Sequence, residues 1–278
     1  HSPTANDQRP CIHHLPGCVR RPRYVAFSLC MMSGSAHTCL MPAHINLLCC
    51  LTNTCLPVYL ISVIPTPPKC DSKVDLCFII DSSGSIRNSN PADGSYDNWA
   101  LQLGFLTDLV GAFTVGPDST RVGAVVFSEQ VRLEFPLDRY ATAAQVQQAI
   151  ANIAYMGETT NTPEALRQTR QQCFSAYGGD RADAANLAII VTDGFPYPEE
   201  RRDPAIAEAQ ALRATGATMI AVGVTSGIDA DFLRHMSSPP QLEGQNYFTA
   251  ADFTALQPMI RGLAYTTCQA VSEDPGML

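Results

Sequence analysis

Asp81, Ser83 and Ser85 stand in the stretch CFIIDSSGSIRNSNP, residues 77–91, where an apolar run gives way to a carboxylate and two hydroxyls. Two other segments have the same character. One is GETTNTPEAL, Gly157 to Leu166, and the other is VTDGFP, in which Asp193 ends a second apolar run. Carboxylates, hydroxyls and room for water are what a hard divalent cation takes as ligands. Two aspartates and three hydroxyls make an incomplete oxygen shell that water and a carboxylate from outside can finish. With only two protein carboxylates, the ion keeps enough positive character to attract an anionic ligand.

Other chemistries fit these residues less well. Asp and Ser are common in turns and helix caps, but that reading treats the three segments as unrelated. The DSSGS turn lacks the glycine spacing of a dinucleotide loop and the Gly-Lys-Ser/Thr ending of a nucleoside-triphosphate loop. A serine nucleophile needs a base, and His235, the one histidine beyond residue 69, falls on a separate short helix. The sequence therefore reads as a binding protein and not an enzyme.

The elements that must position these residues are regular from Lys73 onward. VDLCFIID, RVGAVVFS, NLAIIVTDG and ATMIAVGV are continuous apolar runs of strand length; VRLEFPL alternates as an edge strand does, and QNYF is a short strand. Helical spacing predicts helices over 98–113, 143–153, 163–174, 204–215, 229–236 and 252–264, with Thr162 before Pro163 as a start signal. Buried strands alternating with helices predict an α/β fold. It is a doubly wound, mainly parallel sheet with helices on both faces and one short antiparallel edge strand. Ligands of such sheets bind beyond the carboxyl ends of the strands, where all three polar segments fall.

Composition narrows the setting. Of 278 residues 46% are apolar and 16% charged, which suits a globular chain. The net charge of −8, from 26 acidic and 18 basic residues, argues against a nucleic-acid partner. Seven of the eleven cysteines precede Lys69, leaving Cys70, Cys77, Cys173 and Cys268 in the body, as in a secreted domain with one or two disulfides. Residues 1–69 show no regular period and end in the proline cluster PTPPKC, a linker composition. Within them, Ile45 to Ile64 is apolar but interrupted. It reads as a secretory signal following a start at Met31, Met32 or Met41, as a poor membrane span, or as a segment that forms no element; the first reading is preferred. Membrane association follows only if 45–64 is retained as an anchor.

Asp81-x-Ser83-x-Ser85, Thr160 in TNT and Asp193 in TDG together resemble the metal-ion-dependent adhesion site of von Willebrand factor type A domains. The resemblance covers residues 70–268 and is nearest to extracellular members such as matrilins and collagen-associated domains, leaving 269–278 as a tail. It implies that Ser83, Ser85 and Thr160 supply hydroxyl ligands, with Asp81 and Asp193 acting directly or through water. The implied ion is Mg2+, with Mn2+ or Ca2+ as substitutes, and a partner's Glu or Asp completes the shell. The implied function is extracellular adhesion or matrix assembly, with collagen or another matrix protein among the candidate partners. The alternative is a structural matrix component that binds through other faces and uses the metal only for stability.

Related extracellular domains often join cysteines at the two ends, which implies a Cys70–Cys268 bridge. Cys77 and Cys173 are a second candidate pair, two buried free thiols being the other reading. In family members with moving sites the last helix shifts, so a Cys70–Cys268 bridge implies a limited response here. The chain departs from the family pattern after the first motif, where RNSNPADGSYDNW is unusually long and polar. It reads as a tolerated insertion ahead of a determinant of partner choice.

Overall fold

The computed structural model describes residues 69–225 and 228–272, together with a small ladder in the separate unit formed by residues 1–66. That ladder pairs β1 (Leu29–Cys30) with β2 (Cys39–Leu40) in antiparallel fashion. The expectations for Ile45 to Ile64, and for the tail beyond residue 272, lie outside the described residues.

The unit spanning residues 67–278 is built on one sheet of six strands. These are β3 (Val74–Asp81), β4 (Arg121–Phe127), β5 (Val131–Phe135), β6 (Ala185–Thr192), β7 (Thr218–Val224) and β8 (Tyr247–Ala250). Their order is β5-β4-β3-β6-β7-β8, and only the β4–β5 pair is antiparallel. The helices are α1 (Gly84–Asn88), α2 (Asn98–Val110), α3 (Ala143–Ala151), α4 (Thr162–Gln168), α5 (Arg202–Arg213), α6 (Ala230–Met236) and α7 (Ile260–Ser272).

All eight residues of β3 are buried, which explains why its sequence is apolar without alternation. Leu76, Phe78 and Ile80 face one core, shared with Phe105 and Leu109 of α2, Val146 and Ile150 of α3 and Leu263 of α7. Cys77 and Ile79 face the other, with Leu166 of α4, Leu212 of α5 and Phe232 of α6. The chain leaves β3 toward β4 on one side and returns to β6 on the other. The carboxyl ends of β3 and β6 therefore flank the point where strand order reverses, the place such sheets use for ligands.

Three helices differ from the periodicity. The expected 163–174 helix stops at Gln168 and continues as a π-helical turn, Thr169–Cys173, closed by the Phe174 N–H bonding to the Thr169 carbonyl at 2.9 Å. This wider turn ends at Cys173, which is bridged to Cys77 of β3 (Cα–Cα 6.6 Å). The expected 252–264 helix is two 3-10 turns, Phe253–Ala255 and Gln257–Met259, followed by α7. Pro258 cannot sit inside an α-helix, so regular helix begins only after it. α7 then runs past Cys268, which is bridged to Cys70 with Cα atoms 5.7 Å apart. α1 was not expected, because its five residues carry a single buried apolar side chain, Ile86.

At the amino end of β3, Asp75 is wholly buried and satisfied by one residue. Arg181 donates from its backbone N–H (2.6 Å) and from Nε (2.9 Å) to the two oxygens of that carboxylate. The same guanidinium bonds the carbonyls of Val74, Pro117 and Ser119, so it ties β3 to the 116–120 turn. Removing one partner of a buried pair strands the other charge. Arg181→Gln is expected to cost roughly 3–5 kcal/mol in urea unfolding, and a loss below about 1 kcal/mol would contradict this assignment.

Candidate metal centre

Asp81 is the last residue of β3, and Asp193 directly follows β6, its parallel neighbour. The two strands are in register as far as Ile80 and Val191, so the chain must deliver both carboxylates to the same end. One Asp81 oxygen accepts the Ser83 backbone N–H at 2.9 Å, and the other accepts the Thr192 hydroxyl at 2.6 Å. The Ser83 and Ser85 hydroxyls lie 3.1 Å apart, and Ser85 donates to Asp193 at 2.7 Å. Four of the five residues picked out in the sequence thus stand in one small hydrogen-bonded group.

Thr160, the fifth, is buried in a loop that is fastened onto this group. Met156 N–H bonds the Ser82 hydroxyl and Gly157 N–H the Ser82 carbonyl, both at 2.8 Å. Gly84 N–H bonds the Glu158 carbonyl at 2.8 Å, and the Tyr155 hydroxyl donates to the Ser83 carbonyl at 2.9 Å. A side chain at Gly84 would start 3.1 Å from that Glu158 oxygen, a tight contact that would push the two loops apart by a few tenths of an ångström. On its far side the Thr160 carbonyl accepts the Tyr197 N–H at 3.0 Å, tying in the segment that follows Asp193.

The electrostatics are unusual for two carboxylates. Asp81 has no solvent exposure and Asp193 only 7%. Burial pushes the Asp81 carboxyl above its ordinary range. Burial, aided by the negative charge of Asp81, pushes Asp193 up to about 7. The nearby guanidiniums are engaged elsewhere: Arg87 with Asp97, Arg201 with Glu129 and Arg202 with Asp229. Hydroxyls and one backbone N–H are what the aspartates receive, and none of these carries charge.

Such a donor set fits a hard divalent cation. The oxygens are grouped, two are carboxylate-borne, and none is neutralised by a basic side chain. Among the described residues no cluster of three or more His, Cys, Asp or Glu side chains occurs, so a cation here would depend on the hydroxyls.

Three supporting residues were not singled out by sequence reasoning. Thr192 orients Asp81; its position before Asp193 was legible, but its partner lies 111 residues away. Gln102, buried on α2, donates to the Asp81 backbone carbonyl at 2.7 Å, and a glutamine on the apolar face of a helix was a signal available in the sequence. Tyr155 precedes the threonine loop and gave no motif. The polar segment after Asp81 holds α1 and a loop whose ends are joined by the Arg87–Asp97 pair.

The von Willebrand factor type A domain profile matches residues 75–261. Human matrilin-4 is 35% identical over 201 residues, which are 71% of this chain and 30% of that protein. Human matrilin-1 is 33% identical over 204 residues, 73% of this chain and 38% of that one. The chain thus spans about a third of the length of the matrilins it matches. A solved structure of proximal thread matrix protein 1 from the mussel byssus, with a zinc-occupied MIDAS motif, superposes with a TM-score of 0.61. It is 26% identical and covers 72% of this chain and 47% of its own. The profile match covers the six-stranded sheet from Asp75 of β3 through β8, and the chain belongs to the von Willebrand factor type A domain family.

Proposed function

We propose that this domain is an extracellular adhesion or matrix-assembly module that holds an acidic side chain of a protein partner through a divalent cation. The cation would sit on Asp81, Ser83, Ser85, Thr160 and Asp193. The observation that carries this reading is the buried Asp81–Asp193 pair, linked through two serine hydroxyls and facing no basic side chain. When bound, the ion supplies a Lewis-acidic position that a partner's Glu or Asp carboxylate can occupy. Thr192 and the Ser83 N–H fix the Asp81 carboxylate, and Ser85 fixes that of Asp193.

The zinc-occupied motif of the byssal protein supports a divalent ion at this position, and the oxygen-only donors favour Mg2+, with Mn2+ or Ca2+ as substitutes. The matrilin relatives and the byssal matrix protein support an extracellular matrix partner. The bridges Cys70–Cys268 and Cys77–Cys173 support an oxidising, extracellular setting. Among the described residues no helix is long and apolar enough to cross a membrane.

Titration calorimetry tests the cation directly. The parent chain is expected to bind Mg2+ and a folded Asp81→Ala/Asp193→Ala variant to lose it; a parent that binds none ends the reading. Partner capture that persists in EDTA would favour binding through another face.

The raised carboxyl of Asp193 sets a pH dependence. Its value moves from 3.8 in the unfolded chain to about 7 in the fold. Its contribution to cation-free stability is therefore full below 3.8 and lost as pH rises through about 7. In EDTA, Asp193→Asn is expected to match the parent's melting temperature near pH 4 and to exceed it at pH 8. Added Mg2+ should reverse that order at pH 8, because only the parent keeps both carboxylates. A parent-to-variant difference that ignores both pH and Mg2+ would refute the account.

The Cys70–Cys268 bridge yields a dynamic expectation. With it intact, amide exchange across α7 should be unchanged by Mg2+, and a large change would show that the bridge does not hold the helix.

A further inference from the structure

The peptide joining Ser83 to Gly84 lies between the two serine hydroxyls of the centre, and both of its polar groups are taken by the threonine loop. Its N–H goes to the Glu158 carbonyl at 2.8 Å, and its C=O accepts the Tyr155 hydroxyl at 2.9 Å. Tyr155 supplies the one side chain in this clamp, and it is itself held from two sides. Trp99 packs against its ring at a centroid distance of 5.6 Å, and the Arg87 guanidinium sits 4.3 Å above the ring. Arg87 is held in turn by two bonds to Asp97, at 2.9 and 3.3 Å.

The brace continues through the long polar segment. Asn90 accepts the Asn98 backbone N–H at 2.8 Å. The Asn98 side chain returns to the Ile86 carbonyl at 3.1 Å and to the Ser89 hydroxyl at 3.0 Å. The loop between α1 and α2 is thus closed on itself at both ends, and its acidic end grips the arginine that covers Tyr155.

From this geometry we infer that Tyr155 is a positioning residue for the cation, and that the 89–97 loop is its brace and not a passive insertion. The inference rests on the cation reading above. Tyr155 touches no ion; it fixes the orientation of the Ser83–Gly84 peptide, and with it the spacing of the Ser83 and Ser85 hydroxyls. The arrangement also makes Trp99, the one tryptophan of the chain, a reporter two contacts from the site.

Two substitutions isolate the effect. Tyr155→Phe keeps the ring between Trp99 and Arg87 and removes only the hydroxyl. Asp97→Asn keeps a good helix cap for Trp99 N–H and removes the charge that holds Arg87. Mg2+ affinity by calorimetry and Trp99 emission are measured on the full chain, with melting in EDTA as the control. The parent's emission is expected to change with Mg2+ and to saturate with the calorimetric midpoint. Tyr155→Phe is expected to bind Mg2+ about three- to tenfold more weakly, the loss of one hydrogen bond, with a reduced emission response. Asp97→Asn should shift affinity in the same direction by less.

Parent affinity in Tyr155→Phe would overturn the inference. So would an affinity loss no greater than that of the remote and more strongly destabilised Arg181→Gln variant, since the effect would then be general loosening. A parent that binds no Mg2+ is a separate result, visible before any variant is made; it removes the cation reading and the inference with it.

Discussion

Strand β3 carries a buried aspartate at each end, and the difference between their surroundings organises the domain. Asp75 is met by the guanidinium of Arg181 and by its backbone N–H. Asp81, equally buried, is met by a hydroxyl and one backbone N–H, with a second carboxylate close enough to raise its neighbour's pKa. Burying charge without a counter-charge is costly, and a fold normally answers by pairing or by holding a proton. The lower end is answered from within the chain. The upper end receives hydroxyls and a backbone N–H but no counter-charge.

The fold makes that juxtaposition hard to avoid. Parallel strands in register bring their carboxyl ends to one edge, and β3 and β6 flank the reversal of strand order, the position at which such sheets bind ligands. Apolar side chains on both faces of the sheet fix the strands, so the two aspartates cannot separate to relieve their repulsion. The hydroxyls of Thr192, Ser83 and Ser85 soften the repulsion without cancelling it. The two disulfides lie away from these groups. One joins the entry to β3 with α7, and the other joins the middle of β3 with the turn after α4. They stiffen the frame that carries the site.

Much of this was legible in the sequence because it rests on local signals. Continuous apolar runs mark buried parallel strands, and the alternation of VRLEF marks the antiparallel edge strand β5. The polar segments at strand ends were legible because turn and cap preferences account for each one singly but not for all three at matching strand ends. What the sequence hid depends on contacts between distant positions. Thr192 reaches Asp81 only because β6 lies beside β3, and Tyr155 reaches Ser83 only because two loops close on each other. The π-helical turn was hidden for a similar reason, since it ends at a cysteine whose partner lies 96 residues earlier in the chain. The late start of α7 was readable in principle from Pro258, where apolar periodicity ran through a residue that forbids regular helix.

The claim on which the account stands is that a divalent ion occupies the oxygen cluster at the ends of β3 and β6. Anomalous diffraction from crystals grown with Mn2+ tests it most directly, because it locates the ion without reference to any activity. The expected result is one strong peak within coordination distance of the Ser83 and Ser85 hydroxyls, beside Asp81 and Asp193. A peak elsewhere, or none at saturating Mn2+ in crystals with that face open to solvent, would contradict it.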